Sequence, residues 1–327
     1  MTTANACYIG LDLGGTNIKA GATDGEGNVL ARASIPTEVE RGPDDVIERM
    51  VSMTRGVMAE SQRSIEDYVG VGVGSPGPLS HRYGVVYKPA NLPNWDNVPV
   101  NEFIRTRIGL PVVLENDANA ALLGEYWVGA GKGIKDLVMF TLGTGVGGGV
   151  ISDGRLLRGS FENAGELGHM IVQPGGRKCG CGQLGCLETY TSASYTARRA
   201  TEAVKAGEAS VLKQRLDAGQ TIGCEHVERA ALDGDPLAAR IWDEAAYYLA
   251  VACVNVQHFV NAECVIFAGG MAAAGDRLLE PIRNHFNALS WNLIDDKPEL
   301  RVAALGNDAG FIGAAAAVWL AKQHEEL

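Results

Sequence analysis

The sequence is poor in several features that mark particular classes of protein. It has 28 Lys and Arg residues against 39 Asp and Glu, which gives a formal net charge of -11. A surface of that sign repels phosphate backbones, so we expect no nucleic-acid partner. Long runs of like charge, which would indicate an interaction tail, are also missing.

Long apolar segments are missing as well. The run "AAAAVWLA" near the C-terminus is far shorter than the ~20 residues that cross a bilayer. The N-terminus, "MTTANACYIGLDLGG", has neither a basic region nor a long apolar core before a cleavage site. We therefore expect a soluble cytoplasmic protein with no membrane partner.

Cysteine is scarce, and its number is odd. Three of the seven cysteines fall in "CGCGQLGCLE", residues 179–188, and His169 lies ten residues before Cys179. Cytoplasmic thiols stay reduced, which disfavours disulfides. His169, Cys179, Cys181 and Cys186 would complete a tetrahedral structural zinc site with one ion per chain. The alternative is three unpaired cysteines in a loop.

Glycine, by contrast, is abundant, and it marks an internal duplication. Leu13-Gly14 matches Leu142-Gly143, and Asp24-Gly25 matches Asp153-Gly154, both at an offset of about 129 residues. Each copy reads as strand, glycine turn, strand, turn, strand, and such self-similarity is typical of a duplicated fold. Chance matching of glycine-rich hairpins is the alternative.

The glycine turns are candidate phosphate-binding loops. In "GLDLGGTNIKAG" and "LGTGVGGG", glycines let backbone N–H groups approach an anion closely. Thr16 can donate to a phosphate oxygen, and Asp12 can hold hydrated Mg²⁺. Tight hairpins without a ligand are the alternative. The second loop also spells GxGxxG, but that fingerprint must open a helix, and here a hairpin follows.

Two further segments are candidates for the site. "FAGG", residues 267–270, is a strand before Gly-Gly and a helix, where an adenosine moiety could pack, although a plain strand-to-helix turn is at least as good a reading. "PVVLENDANAALLGEYW" carries an apolar strand into Asp117, which could cap the next helix. Phosphoryl transfer to an alcohol needs a carboxylate that accepts the hydroxyl proton, and we favour that role for Asp117.

Glu166 and Glu188 flank the cysteine cluster, three residues before His169 and two after Cys186. A metal that fixes the loop would also fix both carboxylates. Carboxylates held in this way are suited to accept hydrogen bonds from sugar hydroxyls. The metal would then order a sugar-binding wall without taking part in the chemistry.

These motifs together resemble one family. The chain is similar to the ROK family (repressors, open reading frames and kinases), specifically to its bacterial glucokinase-like members. The similarity covers essentially the full length and includes "DLGGTNIK", "LENDANAA", "LGTGVGGGVISDGRLLRGSFENAGELGHM" and "CGCGQLGCLE". It implies an α/β protein of the actin-like ATPase (ribonuclease H-like) fold, with two duplicated α/β domains around a cleft.

The resemblance also implies site residues. It places Asp117 on the catalytic base. The sugar-binding positions are Gly77, Asn91, Asn116, Asp117, Glu166, His169 and Glu188, of which Asn91 aligns least cleanly. The ATP-binding positions are Asp12, Gly14, Gly15, Thr16, Asn17, Lys19, Gly143, Thr144, Gly145, Gly269 and Gly270. The zinc ligands are His169, Cys179, Cys181 and Cys186, with His169 able to serve sugar and metal through different ring nitrogens.

We therefore expect an ATP- and Mg²⁺-dependent kinase that phosphorylates the 6-hydroxyl of a hexose, glucose first. The alternatives are N-acetylmannosamine, N-acetylglucosamine, fructose or allose as substrate, polyphosphate as donor, or a non-catalytic sugar sensor. Because the first phosphate loop begins close to Met1, we expect no preceding DNA-binding domain. We expect a homo-oligomer, a dimer or tetramer. The small domain should comprise residues 1–117 and about 308–327, and the large domain residues 118–307.

Overall fold

The computed structural model describes residues 6–89, 91–291, 293 and 296–327. The first residues of the N-terminal segment discussed above, 1–5, lie outside the described residues. Contacts between Cα atoms divide the chain into two compact units. Unit 1 comprises residues 1–133, 156–164 and 304–327, and unit 2 comprises residues 134–155 and 165–303.

This division differs from the domains expected from the sequence. Residues 118–133, 156–164 and 304–307 lie with unit 1, whereas the expected large domain began at residue 118 and ended at residue 307. The reason is packing, because the helix that follows Asp117 lies against the C-terminal helix of the same unit.

Unit 1 is built on a five-stranded sheet of order β3-β2-β1-β4-β7. β1 pairs antiparallel with β2, and β2 with β3, while β1–β4 and β4–β7 are parallel. Its strands are β1 (Cys7–Leu13), β2 (Asn17–Thr23), β3 (Val29–Pro36), β4 (Tyr68–Ser75), the short hairpin β5 (Leu79–Ser80) and β6 (Val85–Val86), and β7 (Val112–Asn116). Its helices are α1 (Pro43–Glu60), α2 (Val100–Ile108), α3 (Asp117–Trp127) and α10 (Ala309–Gln323).

Unit 2 repeats this plan with the sheet order β10-β9-β8-β11-β12. Its strands are β8 (Leu137–Leu142), β9 (Val146–Ser152), β10 (Arg155–Leu156, at the division between the units), β11 (Cys264–Ala268) and β12 (Glu299–Val302). Its helices are α4 (Glu188–Thr191), α5 (Ala193–Lys205), α6 (Lys213–Asp217), α7 (Cys224–Leu232), α8 (Pro236–Phe259) and α9 (Asp276–Leu289). Single 3-10 turns cover Val39–Arg41, Ile65–Asp67, Leu167–His169, Gly270–Ala274 and Gly306–Asp308.

The two sheets confirm the internal duplication. Tyr8 pairs with Thr23 in the first hairpin, and Leu137 pairs with Ile151 in the second. The outgoing strands therefore match at an offset of 129 residues and the return strands at 128. The second glycine loop is one residue shorter than the first.

The apolar C-terminal run forms a core helix of unit 1. A Cβ atom on Gly10 would lie 1.7 Å from the carbonyl oxygen of Phe311, and one on Gly72 would lie 1.8 Å from that of Ala314. These glycines let α10 lie directly on β1 and β4. Within the described ranges, no helix has both the length and the apolar character that a membrane crossing requires.

Helix α9 contains a proline, a residue that ordinarily breaks or kinks a helix. The helix instead runs unbroken from Asp276 to Leu289 with Pro281 inside it. Proline has no N–H, so the carbonyl of Arg277 loses its helical partner. The indole N–H of Trp242 donates to that carbonyl at 3.0 Å, and this bond from α8 satisfies the group that Pro281 cannot.

Candidate active site and metal centre

The first glycine loop joins β1 to β2 and is held by backbone and hydroxyl contacts. The Gly14 N–H donates to the Asn17 carbonyl at 3.0 Å. Thr37, which is fully buried, donates through its hydroxyl to the Gly14 carbonyl at 2.6 Å and through its N–H to the Thr16 carbonyl. Thr16 and Asn17 remain exposed at the tip. The loop is therefore fixed in shape while its tip faces solvent.

Asp12 and Lys19 lie on the two strands beneath this loop. Burial raises the pKa of Asp12, and Lys19 opposes that shift. A Cβ atom on Gly310 would lie 2.3 Å from the Asp12 carboxylate, so the absence of a side chain there lets Asp12 approach the first turn of α10. Lys19 donates to the Asn307 carbonyl at 2.8 Å, which places its charge at the same end of α10.

Two of the expected sugar-binding residues lie beside other expected site residues. A Cβ atom on Gly15 would lie 3.1 Å from the Cβ of Asn91, and one on Gly77 would lie 3.7 Å from the side-chain nitrogen of Asn116. Asn91 is exposed, and Asn116 is half-buried. Unit 1 therefore brings Asn91 to the first glycine loop and Gly77 to the end of β7.

The helix-cap alternative for Asp117 is wrong, because the cap of α3 is Asn116. The side-chain oxygen of Asn116 accepts from the N–H groups of Ala118 at 2.9 Å and Asn119 at 3.3 Å. Asp117 is the first residue of the helix and is exposed. One of its carboxylate oxygens accepts from the Ala118 N–H at 2.9 Å. The end of β7 and the Asn116 cap together fix the backbone of Asp117.

A buried carboxylate beneath Asp117 was missed by the sequence analysis. Glu115 is 1% exposed and accepts from Arg158 Nε at 2.9 Å, from Asn119 Nδ2 at 3.0 Å and from the Asn116 N–H at 3.0 Å. His81 Nδ1 lies 3.6 Å from the same carboxylate. A glutamate inside the apolar strand "VVLEN" was the available signal, since buried charges are nearly always paired.

The second glycine loop joins β8 to β9 in unit 2. The Gly143 N–H donates to the Gly145 carbonyl at 3.0 Å, and Thr144 is exposed at the tip. Glu188 Oε2 accepts from the Val146 N–H at 2.9 Å. A Cβ atom on Gly145 would lie 2.4 Å from that oxygen. Because Gly145 has no side chain, the Glu188 carboxylate can approach the loop this closely.

The Gly-Gly turn after β11 lies against the same loop. Gly269 has φ 90°, which favours glycine, and a Cβ atom there would lie 2.5 Å from the Leu142 carbonyl oxygen. Gly269 and Gly270 are exposed. Gly270 opens a 3-10 turn, and α9 begins only at Asp276. Unit 2 therefore groups its two sets of predicted nucleotide-binding glycines.

The four predicted zinc ligands converge. The ligand atoms of His169, Cys179, Cys181 and Cys186 all lie within 4.8 Å of one another. The Cys179 sulfur lies 3.8 Å from His169 Nδ1, and the Cys181 and Cys186 sulfurs lie 3.7 Å apart. A tetrahedral ion with Zn–S bonds of about 2.3 Å has ligand–ligand edges of about 3.8 Å. The donor set and its spacing fit zinc.

Burial shapes the chemistry of two of these thiols, Cys179 and Cys186. It raises the pKa of Cys179, and it raises the pKa of Cys186 to about 12 with a further contribution from hydrogen bonding to Cys181. Thiols with such pKa values keep their protons at neutral pH. A bound metal would displace those protons, so metal uptake is coupled to proton release.

Glu188 connects the cysteine cluster to the second glycine loop. Its Oε1 lies 3.7 Å from the Cys179 sulfur, while its Oε2 holds the Val146 N–H. The 3-10 turn that ends at His169 packs on β9, since a Cβ atom on Gly168 would lie 2.0 Å from the Val146 carbonyl oxygen. Glu166, just before that turn, is exposed. The contact between Glu188 and the glycine loop was not foreseen from the sequence.

The chain resembles known proteins over nearly its whole length. A profile of the ROK family matches residues 8–323. The glucokinase of Halalkalibacterium halodurans is 39% identical over 319 residues, which cover 97% of this chain and 96% of that protein. The crystal structure of the ROK hexokinase from Thermus thermophilus is 34% identical with a TM-score of 0.83, and covers 97% of this chain and 99% of its own.

A second solved structure is a ROK family glucokinase from Streptomyces griseus in complex with glucose and AMPPNP. It is 34% identical to this chain with a TM-score of 0.75, and covers 95% of this chain and 98% of its own. These similarities confirm the predicted actin-like ATPase fold. By sequence profile, sequence identity and structure alike, the chain belongs to the ROK family.

Proposed function

We propose that this chain is an ATP-dependent glucokinase that transfers the γ-phosphoryl group to the 6-hydroxyl of glucose. The observation that carries the proposal is the exposed Asp117 carboxylate at the end of β7, on a backbone fixed by the Asn116 cap. The glucokinase and hexokinase among the similar proteins support the choice of reaction and of sugar.

Asp117 acts as the general base. The sugar oxygen attacks the γ-phosphorus, the bond between that phosphorus and the bridging oxygen of ADP breaks, and the hydroxyl proton passes to Asp117. In a loose transition state this proton leaves late, so the carboxylate first orients the hydroxyl and then accepts the proton. The first turn of α3 holds it for both tasks.

The two glycine loops bind the nucleotide phosphates through backbone N–H groups and the hydroxyls of Thr16 and Thr144. Gly14, Gly15, Asn17, Gly143 and Gly145 shape these loops, and Gly269 and Gly270 receive the adenosine moiety. Asp12 holds hydrated Mg²⁺, and Lys19 adds positive charge nearby. When bound, Mg²⁺ neutralises charge that develops on the transferred phosphoryl group.

Sugar hydroxyls are recognised by the carboxylates of Glu166 and Glu188, the side chains of Asn91 and His169, and the Asn116 amide next to Gly77. The oxygen of Asn116 already accepts from two N–H groups, so its side-chain nitrogen is the group that donates to sugar. His169 Nδ1 lies on the cysteine side, which supports Nε2 as the ring nitrogen that binds sugar.

One zinc ion per chain, held by His169, Cys179, Cys181 and Cys186, orders this wall. Its four protein ligands would close the coordination sphere, so the ion supplies structure and no chemistry. Glu188, which touches both the cluster and the second glycine loop, is the residue most dependent on it. We also propose that the working form is a homo-oligomer, a dimer or a tetramer.

A substrate panel with coupled ADP detection tests the function. Glucose should give the highest kcat/KM among glucose, N-acetylmannosamine, N-acetylglucosamine, fructose and allose, and ATP should outperform polyphosphate. 2-Deoxyglucose should be worse than glucose, because a site built around hydroxyl contacts is left with unpaired groups. A higher kcat/KM on N-acetylmannosamine would overturn the sugar assignment. Glucose binding without ADP release would identify a sensor.

A further inference from the structure

We propose that Glu115 and Arg158 are positioning residues for the Asp117 carboxylate. This inference rests on the proposed function of Asp117 as the general base. Neither residue belongs to the sugar-binding, nucleotide-binding or metal-binding sets. Glu115 accepts hydrogen bonds from Asn116 and Asn119, on either side of Asp117, and Arg158 acts through its own hydrogen bond to Glu115.

The Glu115 carboxylate accepts hydrogen bonds from residues on both sides of Asp117 in the chain. Its Oε1 accepts from the N–H of Asn116, the residue before Asp117, at 3.0 Å. The same oxygen accepts from the side-chain nitrogen of Asn119, two residues after Asp117, at 3.0 Å. Asn116 in turn caps α3 through its own side chain. The strand end and the first helical turn are thus tied to one buried oxygen.

Arg158 holds that carboxylate in place. Its Nε donates to Glu115 Oε2 at 2.9 Å, and the two side chains are 23% and 2% exposed. A buried carboxylate without a partner charge is strongly unfavourable, and the guanidinium is the partner that pairs with Glu115 and fixes its position. His81 lies beside the same carboxylate. Its Nδ1 donates to the Leu114 carbonyl at 2.8 Å and lies 3.6 Å from Glu115 Oε2.

Arg158 is itself fixed, because residues 156–164 form a strap on unit 1. Further along the strap, Glu162 accepts from the Ser80 hydroxyl at 2.6 Å and from the Arg82 N–H at 2.9 Å. These bonds anchor the strap four residues after Arg158. The guanidinium therefore reaches Glu115 from a tethered backbone, which suits it to hold the Glu115 carboxylate in one position.

The decisive test is a kinetic double-mutant cycle between Arg158 and Asp117. Arg158→Met should lower kcat by roughly 10- to 100-fold while the glucose Kd changes less than about threefold, because a misplacement of ~1 Å costs up to ~10²-fold in rate. In the Asp117→Asn background the same change should lower kcat by less than about threefold, since a residue that acts through Asp117 has nothing left to position.

An equal loss of kcat in both backgrounds would overturn the proposal, because Arg158 would then act independently of Asp117. A loss of glucose affinity with unchanged kcat would overturn it as well. If Asp117→Asn alone leaves kcat unchanged, the proposed function fails instead, and the two failures are thereby distinguished. If Arg158→Met does not fold, Arg158→Lys, which keeps the charge but loses the fork, takes its place in the cycle.

Two companion variants separate positioning from general stability. Arg49 pairs with Glu38 at 2.8 Å in the same unit and is 21% exposed, so Arg49→Met is a matched control and should keep kcat within about twofold. Glu115→Gln combined with Arg158→Met removes the unpaired buried charge and keeps an oxygen for the Asn116 N–H. It should recover at least about threefold in kcat over Arg158→Met alone. No recovery, or an equal loss in Arg49→Met, would contradict the positioning role.

Discussion

At the scale of single residues, Asp117 is the general base of the proposed mechanism. Its backbone is set by the strand end and by the Asn116 cap, and its carboxylate is exposed. Asp117→Asn keeps the shape and removes the basicity. We expect kcat to fall by ~10²–10⁴-fold, the range of general-base catalysis, with folding, zinc content and glucose affinity little changed.

Steady-state kinetics with a parallel glucose titration measure this change. Asp276→Asn is the matched control, since Asp276 is also an exposed aspartate at the first position of a helix. It should leave kcat unchanged. A fall of only a few-fold in Asp117→Asn would mean that Asp117 is not the base.

Glu188 has a proposed role in sugar binding and a contact with the second glycine loop, and the choice of substitution separates the two. Glu188→Gln keeps an oxygen for the Val146 N–H but loses the charge, so it should weaken glucose binding and spare nucleotide binding. Glu188→Ala also loses the contact with the second glycine loop. A lost hydrogen bond of about 0.5–1.5 kcal/mol corresponds to roughly 2- to 13-fold weaker binding of a non-hydrolysable ATP analogue.

Calorimetric titration of that analogue without sugar is the measurement. Glu166→Ala provides the control, since Glu166 is exposed and also expected to bind sugar; it should lower glucose affinity alone. Equal nucleotide affinities for the Ala and Gln variants of Glu188 would show that its hydrogen bond to the loop does not contribute to nucleotide binding.

The residues that sequence reasoning found and missed differ in one physical respect. His169 and the three cysteines lie within 18 residues of one another, and their chemistry is visible in their spacing. Thr37 reaches back 23 residues to Gly14, and Arg158 reaches 43 residues to Glu115. Such partners are brought together by tertiary packing. The sequence around either residue therefore does not predict the other.

At the scale of elements, Asp235 shows how a polar residue starts a long helix. Its Oδ1 accepts from the Ala238 N–H at 2.9 Å as the cap of α8, and its Oδ2 accepts from the Val211 N–H at 2.7 Å. Burial by itself would raise the pKa of Asp235, but these N–H groups outweigh it and hold the pKa below its ordinary value.

A lowered folded-state pKa fixes the pH dependence of this contribution. The stabilisation is fully present above the unfolded pKa of about 4 and is lost as the pH falls through the lower folded value. Asp235→Ala should reduce the free energy of unfolding by about 1–2 kcal/mol at neutral pH, and by less below about pH 4. Urea unfolding at both pH values checks this, with Asp233→Ala, exposed after α7, as the control. A loss that grows on acidification would contradict the assignment.

The elements themselves were largely predictable. The two glycine hairpins follow from their turn residues, and both are confirmed. The unbroken α9 was not predictable, because its continuity depends on the Trp242 indole from another helix. The strap at residues 156–164 was missed for the same reason, since its anchors lie in β5 and β7.

For the whole molecule, the proposed zinc site affects the largest number of other functional groups. Purified protein should carry about one zinc per chain, because four protein ligands close the coordination sphere. Cys181→Ser should lose zinc and glucose affinity together, and nucleotide affinity as well, since Glu188 touches both the cluster and the second glycine loop. Elemental analysis alongside both titrations measures this. Cys224→Ser, outside the cluster, should keep its zinc, and fully active enzyme without zinc would contradict the structural role.

The central claim is that the duplicated fold, its two glycine loops and Asp117 together make glucose 6-phosphate. Phosphorus NMR of a reaction with ATP, Mg²⁺ and glucose tests it most directly, because the product signal identifies the esterified hydroxyl. We predict glucose 6-phosphate and ADP in equal amounts for the wild-type chain, and a rate of formation lower by orders of magnitude for Asp117→Asn. A phosphate ester at another hydroxyl, inorganic phosphate in place of a sugar phosphate, or an undiminished rate in Asp117→Asn would contradict the account.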